Sequence, residues 1–98
     1  MKRPVILRPA ARAEYDAAGD WYEQKRSGLG VAFTVAVQEV FDLIASQPRI
    51  HGVVIRDIRK AVIRGFPYCV YYRERAAGVV VLSVFHTSRD PTIWQSRS

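Results

Sequence analysis

With 98 residues, 49% of them hydrophobic, the chain has room for one domain and one modest core, and its composition is not that of a disordered tail. The single cysteine, Cys69, closes no intrachain disulfide, and two histidines cannot fix a metal, so no metal or cofactor is expected. The net charge of +6 is uneven: residues 1–50 hold seven basic and six acidic side chains, residues 51–98 eight and three, which points to an acidic or polyanionic partner for the second half.

The opening MKRPVILRPAARAEY turns polar too soon for a signal peptide, and the longest apolar run, Ala76 to Phe85, falls well short of the ~20 residues that cross a bilayer. A soluble, cytoplasmic protein with no membrane partner is expected. Val5 to Leu7 reads as a short strand stopped by Arg8-Pro9. Ala11, Tyr15, Ala18 and Tyr22 then recur at i, i+4, i+7 and i+11, which predicts a helix from about Ala10 to Lys25-Arg26. The acidic residues of this half read as solvated helix faces. Gly19 inside the helix suggests close packing, since glycine there is otherwise unfavourable.

Ser27 to Gly30 is a break, and Phe33, Val37, Val40 and Ile44 predict a second helix from about Gly30 to Gln47, ended by Pro48. So short a break implies an antiparallel helix pair. The Gly28-Leu29-Gly30 sequence lacks the preceding strand and the third glycine of a phosphate loop.

Val53 to Ile55 is a short extended piece. From Arg59 to Arg64 side chains alternate, with Arg59, Ala61 and Ile63 on one face and Lys60, Val62 and Arg64 on the other. Phe66-Pro67 turns the chain into a strand from Tyr68 to Glu74. Ala76-Ala77-Gly78 makes a hairpin turn, and the almost continuous apolar run Val79 to Phe85 suggests a central strand. The order β-α-α-β-β-β therefore predicts an α+β fold for residues 1–98, a small antiparallel sheet with both helices on one face.

Neither a Ser/His/Asp nor a Cys/His arrangement stands out. What remains is basic: Arg56, Arg59, Lys60, Arg64, Arg73, Arg89 and Arg97, with His86, Tyr71, Tyr72 and Trp94 nearby. Arginine forks bind phosphate and aromatic rings stack on bases, which suits RNA, but an acidic protein segment laid across the sheet would suit the same set. Duller roles stand beside these. His86 ends a buried strand and fits a structural hydrogen bond as well as proton transfer, Trp94 fits a plug over the core edge, and Arg59 and Arg89 fit pairing with Asp57, Glu74 or Asp90.

Taken together, Arg8-Pro9-Ala10-Ala11, Trp21-Tyr22, Gly28-Leu29-Gly30, Pro48, Arg59, Phe66-Pro67-Tyr68, Tyr71-Tyr72 and His86-Thr87-Ser88-Arg89-Asp90-Pro91 make the chain resemble the RelE/ParE superfamily of toxins from bacterial type II toxin–antitoxin systems. The resemblance covers nearly the whole chain, and its Phe-Pro-Tyr turn and His-x-x-Arg-Asp-Pro ending are closer to the ParE-like side. It implies a growth-arresting toxin of a plasmid-stabilising type, neutralised by a cognate acidic antitoxin through which any DNA contact is made. ParE-like members inhibit DNA gyrase, whereas RelE-like members cut mRNA on the ribosome. In the first case no bond is broken, and Arg56, Arg59, Lys60, Arg64, Arg73, Arg89 and Trp94 are candidates for contact with target or antitoxin. In the second, His86 would move the proton while Arg64 and Arg89 stabilise the transition state. A basic interaction module without toxicity is the third reading.

Overall fold

The computed structural model describes residues 2–97, which form β1 (Val5–Leu7), α1 (Pro9–Lys25), α2 (Leu29–Ser46), β2 (Val53–Ile55), β3 (Ile58–Val62), β4 (Tyr68–Arg75), β5 (Gly78–His86) and α3 (Thr92–Gln95). Each element follows from local chemistry. In α1 the periodic residues Ala11, Tyr15, Ala18 and Tyr22 are the buried ones, and Pro9 sits at the start, where its missing N–H is harmless. In α2 the buried line is Phe33, Val37, Val40, Phe41 and Ile44. This helix is 18 residues long with a mean hydropathy of 1.5, long and apolar enough for a membrane span, yet that line packs into the core with α1 and the sheet.

The two helices meet tightly at Gly30. A Cβ there would lie 2.6 Å from the carbonyl oxygen of Gly19, whereas one on Gly19 would meet only the Thr34 hydroxyl, at 3.8 Å. The close approach expected of Gly19 therefore depends on Gly30. Glu23 secures the same junction by accepting the N–H groups of Gly28 (2.9 Å) and Gly30 (3.0 Å), so a carboxylate caps the N-terminus of α2.

The five strands lie in the order β1-β5-β4-β3-β2. The ladders among β2, β3, β4 and β5 are antiparallel, as the hairpin signals predict, and β5 runs in the middle of the apolar core. The expected all-antiparallel sheet gains one parallel ladder, with β1 against β5 in register Val5↔Val79 to Leu7↔Val81. The intervening helices and strands supply the long connection that parallel neighbours require. Gly78 admits this strand: a Cβ on it would come within 2.5 Å of the Pro4 carbonyl oxygen, which accepts the Val79 N–H at 2.8 Å.

Both helices cover one face, where Ala61, Ile63, Val70, Tyr72, Val79, Val81 and Val84 join their apolar lines. The opposite face carries a second cluster of Ile58, Cys69, Tyr71, Leu82, Phe85 and Trp94. The tail after Pro91 makes that cluster possible: α3 lays Trp94 on Tyr71 with ring centroids 3.7 Å apart and planes 15° apart. Burial accordingly raises the pKa of both Cys69 and Tyr71, and Cys69 is the inert thiol that its neighbours imply.

Candidate functional site

Two regions of the sheet collect the chemistry. The first is the C-terminal end of β5, where the ladder with β4 slips: Tyr71 pairs with Ser83 but Tyr72 pairs with Val81, leaving Leu82 as an extra residue. Such a bulge twists the strand and breaks its pairing. Beyond Val81, β1 no longer runs alongside, so the outer edge of β5 needs other partners.

Glu14 of α1 supplies them. Its carboxylate accepts the Ser83 hydroxyl (2.8 Å) and the Val84 N–H (3.3 Å), and it takes the Arg97 guanidinium at 2.9 and 3.2 Å. Arg97 in turn donates to the Leu82 carbonyl at 3.3 Å, and Arg89 approaches Glu14 to 3.8 Å. The carboxylate side chain is only 13% exposed. Glu14 is thus no solvated helix residue. It draws two cations of the predicted set onto itself and ties the tail to α1, which sequence spacing could not reveal because the partners lie 69 and 83 residues away.

His86 ends β5 beside this network, its ring edge-on to Tyr68 at 5.1 Å. Its Nδ1 accepts the Ser88 N–H (3.1 Å) and lies 2.8 Å from the Ser88 hydroxyl. In the neutral ring the proton then sits on Nε2, and a base at Nε2 is not available without giving up the Ser88 bond. Glu14, Trp21, Tyr22, Tyr68, His86 and Arg89 line a cleft of about 620 Å³ between α1 and the sheet. Burial raises the Tyr68 pKa despite the Arg89 cation, so its phenol stays neutral.

The second region is the β2–β3 side. Lys60 and Arg64 point outward with Val62, and among the described residues neither forms an ion pair. Arg56 forms the β2–β3 turn at a φ of 50°. Arg59, half-buried, turns its guanidinium onto the carbonyls of His51 (2.6 Å) and Arg49 (3.4 Å), fastening the loop after α2. Beneath that loop Tyr72 donates to the Pro48 carbonyl (2.9 Å) and lies 3.2 Å from His51 Nδ1, which therefore carries the proton of that pair.

Two of the predicted contact residues are interior. Arg73 is 5% exposed and pairs with Asp57 at 2.8 Å, and Asp57 also takes Arg75 at 2.7 Å. Trp94 is 3% exposed in its stack on Tyr71. Both side chains are therefore covered within the chain itself. Arg64, His86 and Arg89 do share one end of the sheet, where the Thr87 N–H bonds the Pro67 carbonyl at 2.9 Å. No three His, Cys, Asp or Glu side chains come together among the described residues as a metal site would require.

A family model described as the ParE toxin of the type II toxin–antitoxin system parDE matches residues 5–91. Among solved structures, the chain is similar to one from the chromosomal ParDE TA system of P. aeruginosa, with a TM-score of 0.74 and 14% identity, covering 89% of this chain and 98% of that one. At that identity the likeness speaks for the fold. No curated protein matches the chain.

Proposed function

Because the chain belongs to the ParE toxin family of type II toxin–antitoxin systems, we propose that it arrests growth by binding and inhibiting DNA gyrase, and that an acidic antitoxin neutralises it. The observation that carries binding over mRNA cleavage is the position of Glu14. An endonuclease site would need arginines free to clamp a phosphate and a base free to take the 2′-hydroxyl proton. Here Arg89 and Arg97 converge on a carboxylate that repels phosphate, and His86 Nδ1 is already engaged by Ser88. Of the predicted cations, Lys60 and Arg64 point outward without ion pairs among the described residues, a basic surface suited to docking.

A supercoiling assay tests this reading. Purified protein added to gyrase, ATP and relaxed plasmid is expected to suppress supercoiling near stoichiometric amounts, and to leave mRNA intact in a reconstituted translation reaction. Ribosome-dependent cleavage that vanishes in His86→Ala, with supercoiling untouched, would favour the RelE-like reading instead.

A further inference from the structure

Charge is sorted across the sheet. Residues 13–46, which hold most of α1 and all of α2, carry six acidic and two basic side chains, the reverse of the excess beyond residue 50. These helices lie on one face of the sheet, packed with Ala61 and Ile63. By alternation along β3, Lys60 and Val62 belong to the other face, the one that carries Ile58, Cys69 and Tyr71. One side of the molecule is therefore acidic and the opposite side basic.

Exposed apolar side chains gather on both sides. Six of the eight exposed large hydrophobics among the described residues fall into two groups. On the helical side, Val31 (64% exposed) and Val35 (52%) stand one turn apart on α2 and line a groove of about 610 Å³ between the helices. Its other wall is the α1 series Asp16, Asp20 and Glu23. Asp20 has no ion pair among the described residues, and Asp16 has only an exposed pair with Arg12 at 3.3 Å, which solvent screens. On the sheet side, Val62 (66%) lies between Lys60 and Arg64, neither of them in an ion pair among the described residues. Val53 and Val54 of the neighbouring β2 widen that stripe, with Ile50 just before it.

An aliphatic rail beside carboxylates and an aliphatic stripe between cations are complementary surfaces, and one chain carries both. Lys60 and Arg64 are about 13 Å apart in extended backbone. Asp16 and Glu23 are about 10 Å apart along α1, a difference that flexible lysine and arginine stems can span. Two-fold pairing of either surface would set like charges against each other, so the fit joins unlike surfaces. An acidic partner is repelled from the groove, whereas a second copy brings cations and valines to it together.

We propose that copies of this chain associate head to tail, with the Lys60–Val62–Arg64 stripe of one seated in the groove between Asp16–Asp20 and Val31–Val35 of the next. Because the two surfaces lie on opposite sides of the sheet, each added copy leaves a groove and a stripe open, and the series lengthens with concentration. The contact is independent of the gyrase reading. It covers Lys60 and Arg64, so self-association competes with any partner that docks on those cations.

Sedimentation equilibrium of the whole chain, free of any partner, tests this. At low salt the weight-average mass is expected to climb with concentration from that of one copy past that of two, and to fall back at about 0.5 M salt, where charge contacts are screened. Asp20→Lys and Lys60→Asp are each expected to weaken association about tenfold, with circular dichroism unchanged. Mixed in equal amounts, the two variants are expected to associate again, since the altered groove of one then meets the altered stripe of the other. A single-copy mass at every concentration overturns the proposal. So does association that survives both substitutions or responds to only one of them, and so do two variants that stay apart when mixed.

Discussion

Replacing Glu14 tests the structure where it departs most from its sequence. Glu14→Ala strips the partner from the Ser83 hydroxyl, which is 0% exposed, and from the Val84 N–H, while releasing the Arg97 fork. A buried polar group left unsatisfied costs about 1–3 kcal/mol. The Arg97 pair, whose guanidinium side is 22% exposed, adds only about 1 kcal/mol because solvent screens it. The expected loss is about 3 kcal/mol, or a fall in Tm of about 15 °C for a domain of this size. Glu14→Gln keeps an oxygen for Ser83 and Val84 but gives up the charge, so it should lose about 1 kcal/mol. Thermal unfolding followed by circular dichroism reads both, and tryptophan fluorescence reports whether Trp94 leaves Tyr71 before the main transition. A loss below about 0.5 kcal/mol for Glu14→Ala, or equal losses for the two variants, would refute the carboxylate's role as the clasp between α1, the bulge and the tail.

The helix junction gives a paired test. Gly30→Ala should destabilise by about 1–3 kcal/mol through the clash with the Gly19 carbonyl, whereas Gly19→Ala should stabilise by about 0.5–1 kcal/mol, since its methyl meets only an ordinary contact; urea midpoints separate the two. Acid should weaken the fold in two stages. His51 has its pKa lowered by burial, so the unfolded chain binds the proton more readily and stability falls as pH drops below about 6.5; His51→Gln should flatten that part of a pH–stability curve. Glu74 and Asp57 are held below their ordinary values, Glu74 chiefly by its bond from Arg49 and Asp57 chiefly by its bond from Arg75. Their contribution is present above the unfolded carboxylate values, near pH 4, and is lost as pH falls through the folded ones, a slope that Glu74→Gln should reduce.

Much of this fold is written locally. Ala11, Tyr15, Ala18 and Tyr22 declare their buried face by spacing, as do Phe33, Val37, Val40 and Ile44, and the alternation at Arg59 to Arg64 sorts inward from outward side chains correctly. These patterns depend only on the repeat of a helix or strand. Tertiary pairing is a different matter. Glu14 looks like any helix-face acid until Ser83 and Arg97 arrive, Arg73 looks like a surface cation until Asp57 neutralises it, and nothing near Val5 announces a parallel partner at Val79. The candidate site was legible as a basic second half but not as a geometry. Which cations stay outside and which are spent on carboxylates depends on contacts across the whole chain.

The central proposal is that this member of the ParE toxin family acts by docking on gyrase and not by cutting RNA. Pulse-labelling of DNA and protein synthesis in the minutes after inducing the chain alone tests it most directly, with His86→Ala run in parallel. The account predicts that DNA synthesis stops first and that the His86→Ala variant, if folded, remains toxic. Protein synthesis stopping first, with toxicity abolished in His86→Ala, would contradict it.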